Sequence, residues 1–168
     1  MSTTGLTYNM LEYYFRNLSQ KHSLINSFSG FTDAEFDYVV SKKHTNKYPM
    51  MALSDYSFKL TGNKQRAFSE RVIEFSIGVK LKDRSVESVK AAEALAEEIG
   101  LQIISRIKQD SEICKDINWL YENFDVNTVK AQALDKNTKD GIRGMSFSFE
   151  LRHRQPLIVN NDIWEDKK

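Results

Sequence analysis

The chain has few of the residues and patterns that mark most functional classes. Among its 168 residues there is one cysteine, Cys114, and there are three histidines, while 24 basic side chains against 23 acidic ones leave a formal net charge of only +1. A lone thiol closes no internal disulfide and suits a reducing compartment. No His or Asn lies near Cys114 in sequence, so it reads as a small buried hydrophobe rather than a nucleophile. A near-zero charge creates no global field to recruit nucleic acid or an acidic membrane. No window of about eighteen apolar residues exists, so no membrane partner is expected. The opening "MSTTGLTYNM" has neither the basic region nor the apolar run of a signal peptide. A soluble protein made in the cytoplasm is the expectation.

Catalytic patterns are equally scarce. His22, His44 and His153 are scattered, and none has a His or Cys at metal-ligand spacing. Gly141 and Gly144 sit in a turn with no helix after it, so no phosphate loop forms there. No G-x-S-x-G elbow occurs. The carboxylate pairs Asp33/Glu35 and Glu97/Glu98 read as a turn and a solvated helix face. No enzymatic activity, cofactor or metal is expected. An unrecognised site at a subunit interface would draw on His153, His44 or Asp33.

What the chain does have is alternation. Apolar side chains make up 40% of it, with ten Phe and seven Tyr. A single domain over residues 1–160 can bury roughly 70% of its unfolded surface without staples, and 161–168 reads as a C-terminal tail. Leu6, Met10, Leu11, Tyr14, Phe15 and Leu18 recur at helical spacing and predict an N-terminal helix to about Gln20. Phe36, Tyr38 and Val40 alternate like a strand, although "TDAEFDYVVSKK" also begins like a short capped helix. "KYPMMALS" predicts a short strand after Pro49. Tyr56, Phe58 and Leu60, then Ile73, Phe75, Ile77, Val79 and Leu81, predict a hairpin joined by a loop at Thr61–Ser69.

Val89, Ala92, Ala96, Ile99, Ile103 and Ile107 then form the stripe of a long helix, started by Asp83 or Ser85 and with Arg106 and Lys108 suited to its negative end. Gly100 within it costs about 1 kcal/mol against Ala, and a close approach to a sheet would explain its presence. A strand through Val129, Ala131 and Ala133 and the strand Met145–Leu151 predict a second hairpin. The fold class expected is α+β: an antiparallel sheet of about four to five strands, packed against the long helix and the N-terminal helix.

Basic residues gather in two loops. Lys42, Lys43 and Lys47 fall in one, and Lys59, Lys64, Arg66 and Arg71 in the other, with Arg152 and Arg154 near the end of the last strand. Converging on one face, they would neutralise phosphates; dispersed, they are solvated loop and strand ends. A small nucleic-acid-binding protein using residues 42–47 and 59–71 is therefore one functional reading.

The order of N-terminal helix, "KYPMMALS" strand, hairpin ending "VIEFSIGVKLKDRS", Ala-rich helix and hairpin closing on "GIRGMSFSFELRHRQPL" resembles the tail-terminator, tail-completion and head–tail connector (neck) proteins of tailed bacteriophages. It is similar to versions from phages of the Bacteroidetes group, crAss-like phages among them, over roughly residues 6–158. Residues 26–47 read less cleanly than the likeness suggests. The resemblance implies a non-enzymatic virion protein of the neck or tail, made in the host bacterial cytoplasm. It implies a homo-oligomeric ring, six- or twelve-fold, joining portal or adaptor to tail proteins or ending the tail. Double-stranded DNA would pass through the lumen without sequence recognition. Lys42, Lys43, Lys64, Arg66, Arg152 and Arg154 are the expected subunit-interface or lumen contacts.

Overall fold

A computed structural model describes residues 6–30, 47–54, 56–63, 66–113, 115–134 and 141–159. Helix α1 (Tyr8–Lys21) is started by Thr7, whose hydroxyl accepts from the Met10 N–H, and it buries Leu11, Tyr14, Phe15 and Leu18. Strands β1 (Ser27–Ser29) and β2 (Met50–Leu53) follow, then the hairpin β3 (Phe58–Asn63) and β4 (Arg66–Lys80). Helix α2 (Val86–Ile113) leads through turns and a short 3-10 helix (Val126–Thr128) to β5 (Lys130–Ala133) and β6 (Ile142–Arg154).

The class is α+β, with one sheet and two α-helices among the described residues. The sheet order is β1-β2-β4-β6-β5, and β3 lies beside β2 along the same edge of β4. Two expectations about the sheet are corrected. Among the described residues it has six strands, and it is mixed, because β1 runs parallel to β2. Three residues, Ser-Phe-Ser, are too short to show a period of two, so β1 left no pattern to read. The segment Thr61–Ser69 is not a loop either: β3 runs to Asn63 and β4 starts at Arg66. The strand expected through Phe36, Tyr38 and Val40 lies outside the described residues, as do Cys114, His44, Asp33, Glu35 and 161–168.

Both helices cover one face of the sheet. The alternation of β4 and β6 decides which: Ile73, Phe75 and Ile77 lie opposite Phe149, Phe147 and Met145, and the group is buried apart from a partly buried Met145. Phe75 stacks on Phe147 at 5.4 Å and meets Phe15 of α1 at 5.6 Å. Gly100 is where α2 touches the sheet. A Cβ built there would stand 2.0 Å from the Phe147 ring, so only glycine lets the helix come this close. The close approach expected at Gly100 is thus observed. The strand Met145–Leu151 is central, between β4 and β5.

The start of α2 resolves in favour of Ser85, whose hydroxyl accepts from the Ser88 N–H at 3.1 Å, while Asp83 accepts from the Ser85 N–H. Its end is corrected. The helix continues to Ile113, with no basic residue in its last turn, and Arg106 and Lys108 instead pair with Asp110 and Glu112 one turn on. These i,i+4 pairs prolong the helix.

Candidate functional site

β4 has 15 residues and β6 has 13; their outer ends pair with each other, and β3 pairs with the outer end of β4. Here the two faces of the sheet carry different chemistry. On the face without helices, Lys59, Glu70 and Arg152 are direct partners across β3, β4 and β6. Glu70 accepts from the Thr61 hydroxyl at 3.1 Å and pairs with Lys59 at 2.9 Å and Arg152 at 3.3 Å. The bond to Lys59 holds the Glu70 carboxyl below its ordinary range, and Glu70 raises Lys59 in return. Such exposed pairs order side chains more than they stabilise a fold.

Three of the six expected contact residues converge on this face. Arg154 is opposite Phe68, Arg152 lies over the Phe68 ring at 4.7 Å, and Arg66 is two residues from Phe68 on the same strand face. Arg66, Arg152 and Arg154 are all exposed. Lys42, Lys43 and Lys64 lie outside the described residues. Of the other basic residues in the two segments, Lys47 is buried, Lys59 is paired with Glu70, and Arg71 points to the opposite face.

That opposite, helix-side face brings together residues whose meeting the sequence did not announce. Ser69, Arg71 and His153 have the same parity as the core residues Ile73 and Leu151, and all three are buried. Ser69 is the direct partner of His153, and Arg71 that of Leu151, so Arg71 and His153 are diagonal neighbours. The Arg71 guanidinium lies 4.3 Å from the Phe58 ring centre and 5.1 Å from that of Tyr56, and it donates to the Leu6 carbonyl at 2.8 Å. Burial, with Arg71 adding to it, pushes the His153 imidazole down to about 4, against a smaller opposing effect of Gln155. The signal was present: polar residues stand in the core phase of two apolar strands. Phe58 and Leu60 share this face yet are 53% and 47% exposed, because they lie beyond the residues that α1 and α2 cover.

Two of the surface hollows contain polar groups described above. One is an open groove on the helix-free face at the outer end of β3, β4 and β6, lined mainly by Lys59, Glu70, Val72, Glu150 and Arg152, with Ser57 and Phe58 at the strand edge. The other lies between α1 and the 116–119 turn, floored by Tyr14 and Trp119, whose rings meet edge to face at 5.3 Å. Its buried Asp110 accepts from the Tyr14 hydroxyl at 2.9 Å and from Arg106 at 2.8 Å, so its polar groups are already satisfied. Among the described residues, no three His, Cys, Asp or Glu side chains are grouped to hold a metal, and no helix is long and apolar enough to cross a membrane. His22 stands apart at the end of α1, 2.9 Å from Gln102.

No family model matches the chain, and no curated protein matches it significantly.

Proposed function

We propose that the chain is a non-enzymatic structural protein of a bacteriophage neck or tail. It assembles head to tail into a homo-oligomeric ring that joins the portal or connector to the tail, or ends the tail, and conducts DNA through its lumen. The observation that carries this reading is the one-sided sheet. Its helices cover one face, and among the described residues no strand pairs with the outer edge of β3 or of β5. Two different unpaired edges on one subunit suit a heterologous contact, in which one patch meets a different patch of the next copy and rotation closes the ring. The likeness in element order supports it at the level of fold analogy, and the tail-terminator-like arrangement is part of the proposal. The uncovered face, with Ser148, Glu150, Arg152 and Arg154, would be turned to the lumen or a neighbour.

Sedimentation across a range of protein concentrations, with negative-stain images of the largest species, tests this. A closed ring with a central hole is expected. A two-fold dimer that buries the β3 and β5 edges would overturn it.

A second reading, a small nucleic-acid-binding protein, draws on the Arg66, Arg152 and Arg154 cluster around Phe68. It predicts binding by the monomer that weakens steeply as salt rises. Against it, Lys59 and Arg152 are already paired with Glu70.

A further inference from the structure

Buried polar atoms in folded proteins nearly always have partners, and buried charges are paired. The outer end of the helix-side face departs from both rules in one place. Ser69 Oγ, Arg71 Nε, both ring nitrogens of His153 and Gln155 Oε1 are buried without a well-formed hydrogen bond, although Gln155 lies close enough to His153 to favour its charged form. Arg71 is 4% exposed and His153 2%, and no carboxylate pairs with Arg71 among the described residues. The nearest acid in sequence, Glu70, is on the other face and engaged by Lys59 and Arg152. A buried cation with an empty donor edge, a free hydroxyl and a neutral imidazole together lack an anion.

The shape of the cluster narrows which one. Arg71 has the Phe58 ring against its guanidinium, an Nη2 bond to Leu6 and a further polar contact with the Tyr56 side chain, so the unused group is the Nε–H, on the side of the planar fork that binds carboxylates with two parallel bonds. One cation balances one carboxylate charge. A phosphate would bring more charge and more oxygens than this single guanidinium, one hydroxyl and one ring N–H can meet. On the helix side the Phe58 ring lies against the Arg71 guanidinium and is itself half exposed, so rotation of that ring would open the site at little cost in buried area.

We propose that Arg71, Ser69 and His153 form a binding site for the carboxylate of a small organic acid, entered past the half-exposed Phe58 ring. The Arg71 fork takes the carboxylate, the Ser69 hydroxyl and a His153 N–H donate to its oxygens, and Tyr56 and Phe58 offer apolar walls to the carbon chain. The site is independent of ring assembly and stands whether or not the ring forms.

The test follows the His153 ring nitrogens by NMR while sodium acetate is added at constant ionic strength, with sodium chloride and inorganic phosphate as parallel arms. Acetate should shift them saturably, with a Kd of about 1–10 mM given so few ligand atoms. It should also raise the imidazole from about 4 by about one unit, a tenfold gain in proton affinity. Arg71→Lys keeps the charge but loses the fork and should weaken acetate at least about tenfold. Ser69→Ala gives a milder loss and a second variant if Arg71→Lys does not fold. Shifts no larger with acetate than with chloride would overturn the site. Saturation by phosphate without saturation by acetate would overturn the carboxylate assignment.

Discussion

The same two strands, on the same face, behave oppositely at their two ends. At the inner end β4 and β6 present Phe75 and Phe147, fully buried and stacked beneath Gly100 of α2. At the outer end they present Ser69, Arg71 and His153, also buried, but with polar atoms left unmatched. Alternation places both groups on one face; what differs is the cover. The inner end is matched by helix side chains, so its burial stabilises. The outer end carries desolvation costs that its own neighbours do not return. A protein maintains such an end when something else uses it.

Four experiments would break or sharpen that contrast, in falling order of effect. Phe147→Ala should cost about 3–5 kcal/mol, because it empties the space under Gly100. Urea denaturation measures it, and a loss below about 1 kcal/mol would mean that the inner end is not the anchor. The second is stability against pH. The folded His153 is held near 4 and its ordinary value is 6.5. The unfolded chain therefore takes up a proton that the native state refuses as pH falls from 6.5 toward 4. Stability contributed by the neutral imidazole is full above 6.5 and is lost across that window, up to about 3 kcal/mol. His153→Gln should flatten this part of the curve, and an unchanged slope would place the titration elsewhere.

Gly100→Ala is a test of sign. Helix propensity favours Ala by about 1 kcal/mol, but the new Cβ would overlap the Phe147 ring. A net loss of about 1–3 kcal/mol is expected from the overpacking; a gain in the urea midpoint would show that α2 does not press on the sheet there. Tyr14→Phe is the smallest in stability. It removes the 2.9 Å bond to buried Asp110, which keeps Arg106, and should cost about 1–2 kcal/mol. That loss would show a satisfied buried polar pair stabilising where the outer cluster does not.

Much of this architecture was readable in the residues. The stripe from Ala92 to Ile107, the core phase of Ile73, Phe75 and Ile77, and the alternation from Met145 to Leu151 named the helices, the hairpins and the buried face. Gly100 announced a close approach. β1 was not readable, because three residues carry no period and its parallel pairing with β2 is non-local. Among the candidate contacts, Arg66, Arg152 and Arg154 were named from charge alone. Their meeting around Phe68 depended on the register of β4 against β6. His153 was singled out only as one of several groups on which an enzyme site at a subunit interface would draw.

Local chemistry by itself determined the long helices and strands and which side of each faces inward, since a period of 3.6 or 2 is written in consecutive residues. Only the tertiary structure decided how far the helices reach along the sheet. That reach leaves Phe58 and Leu60 in solvent and sets Arg71 against the rings of Tyr56 and Phe58. Cover is a property of packing between distant segments, and no local pattern records where it stops.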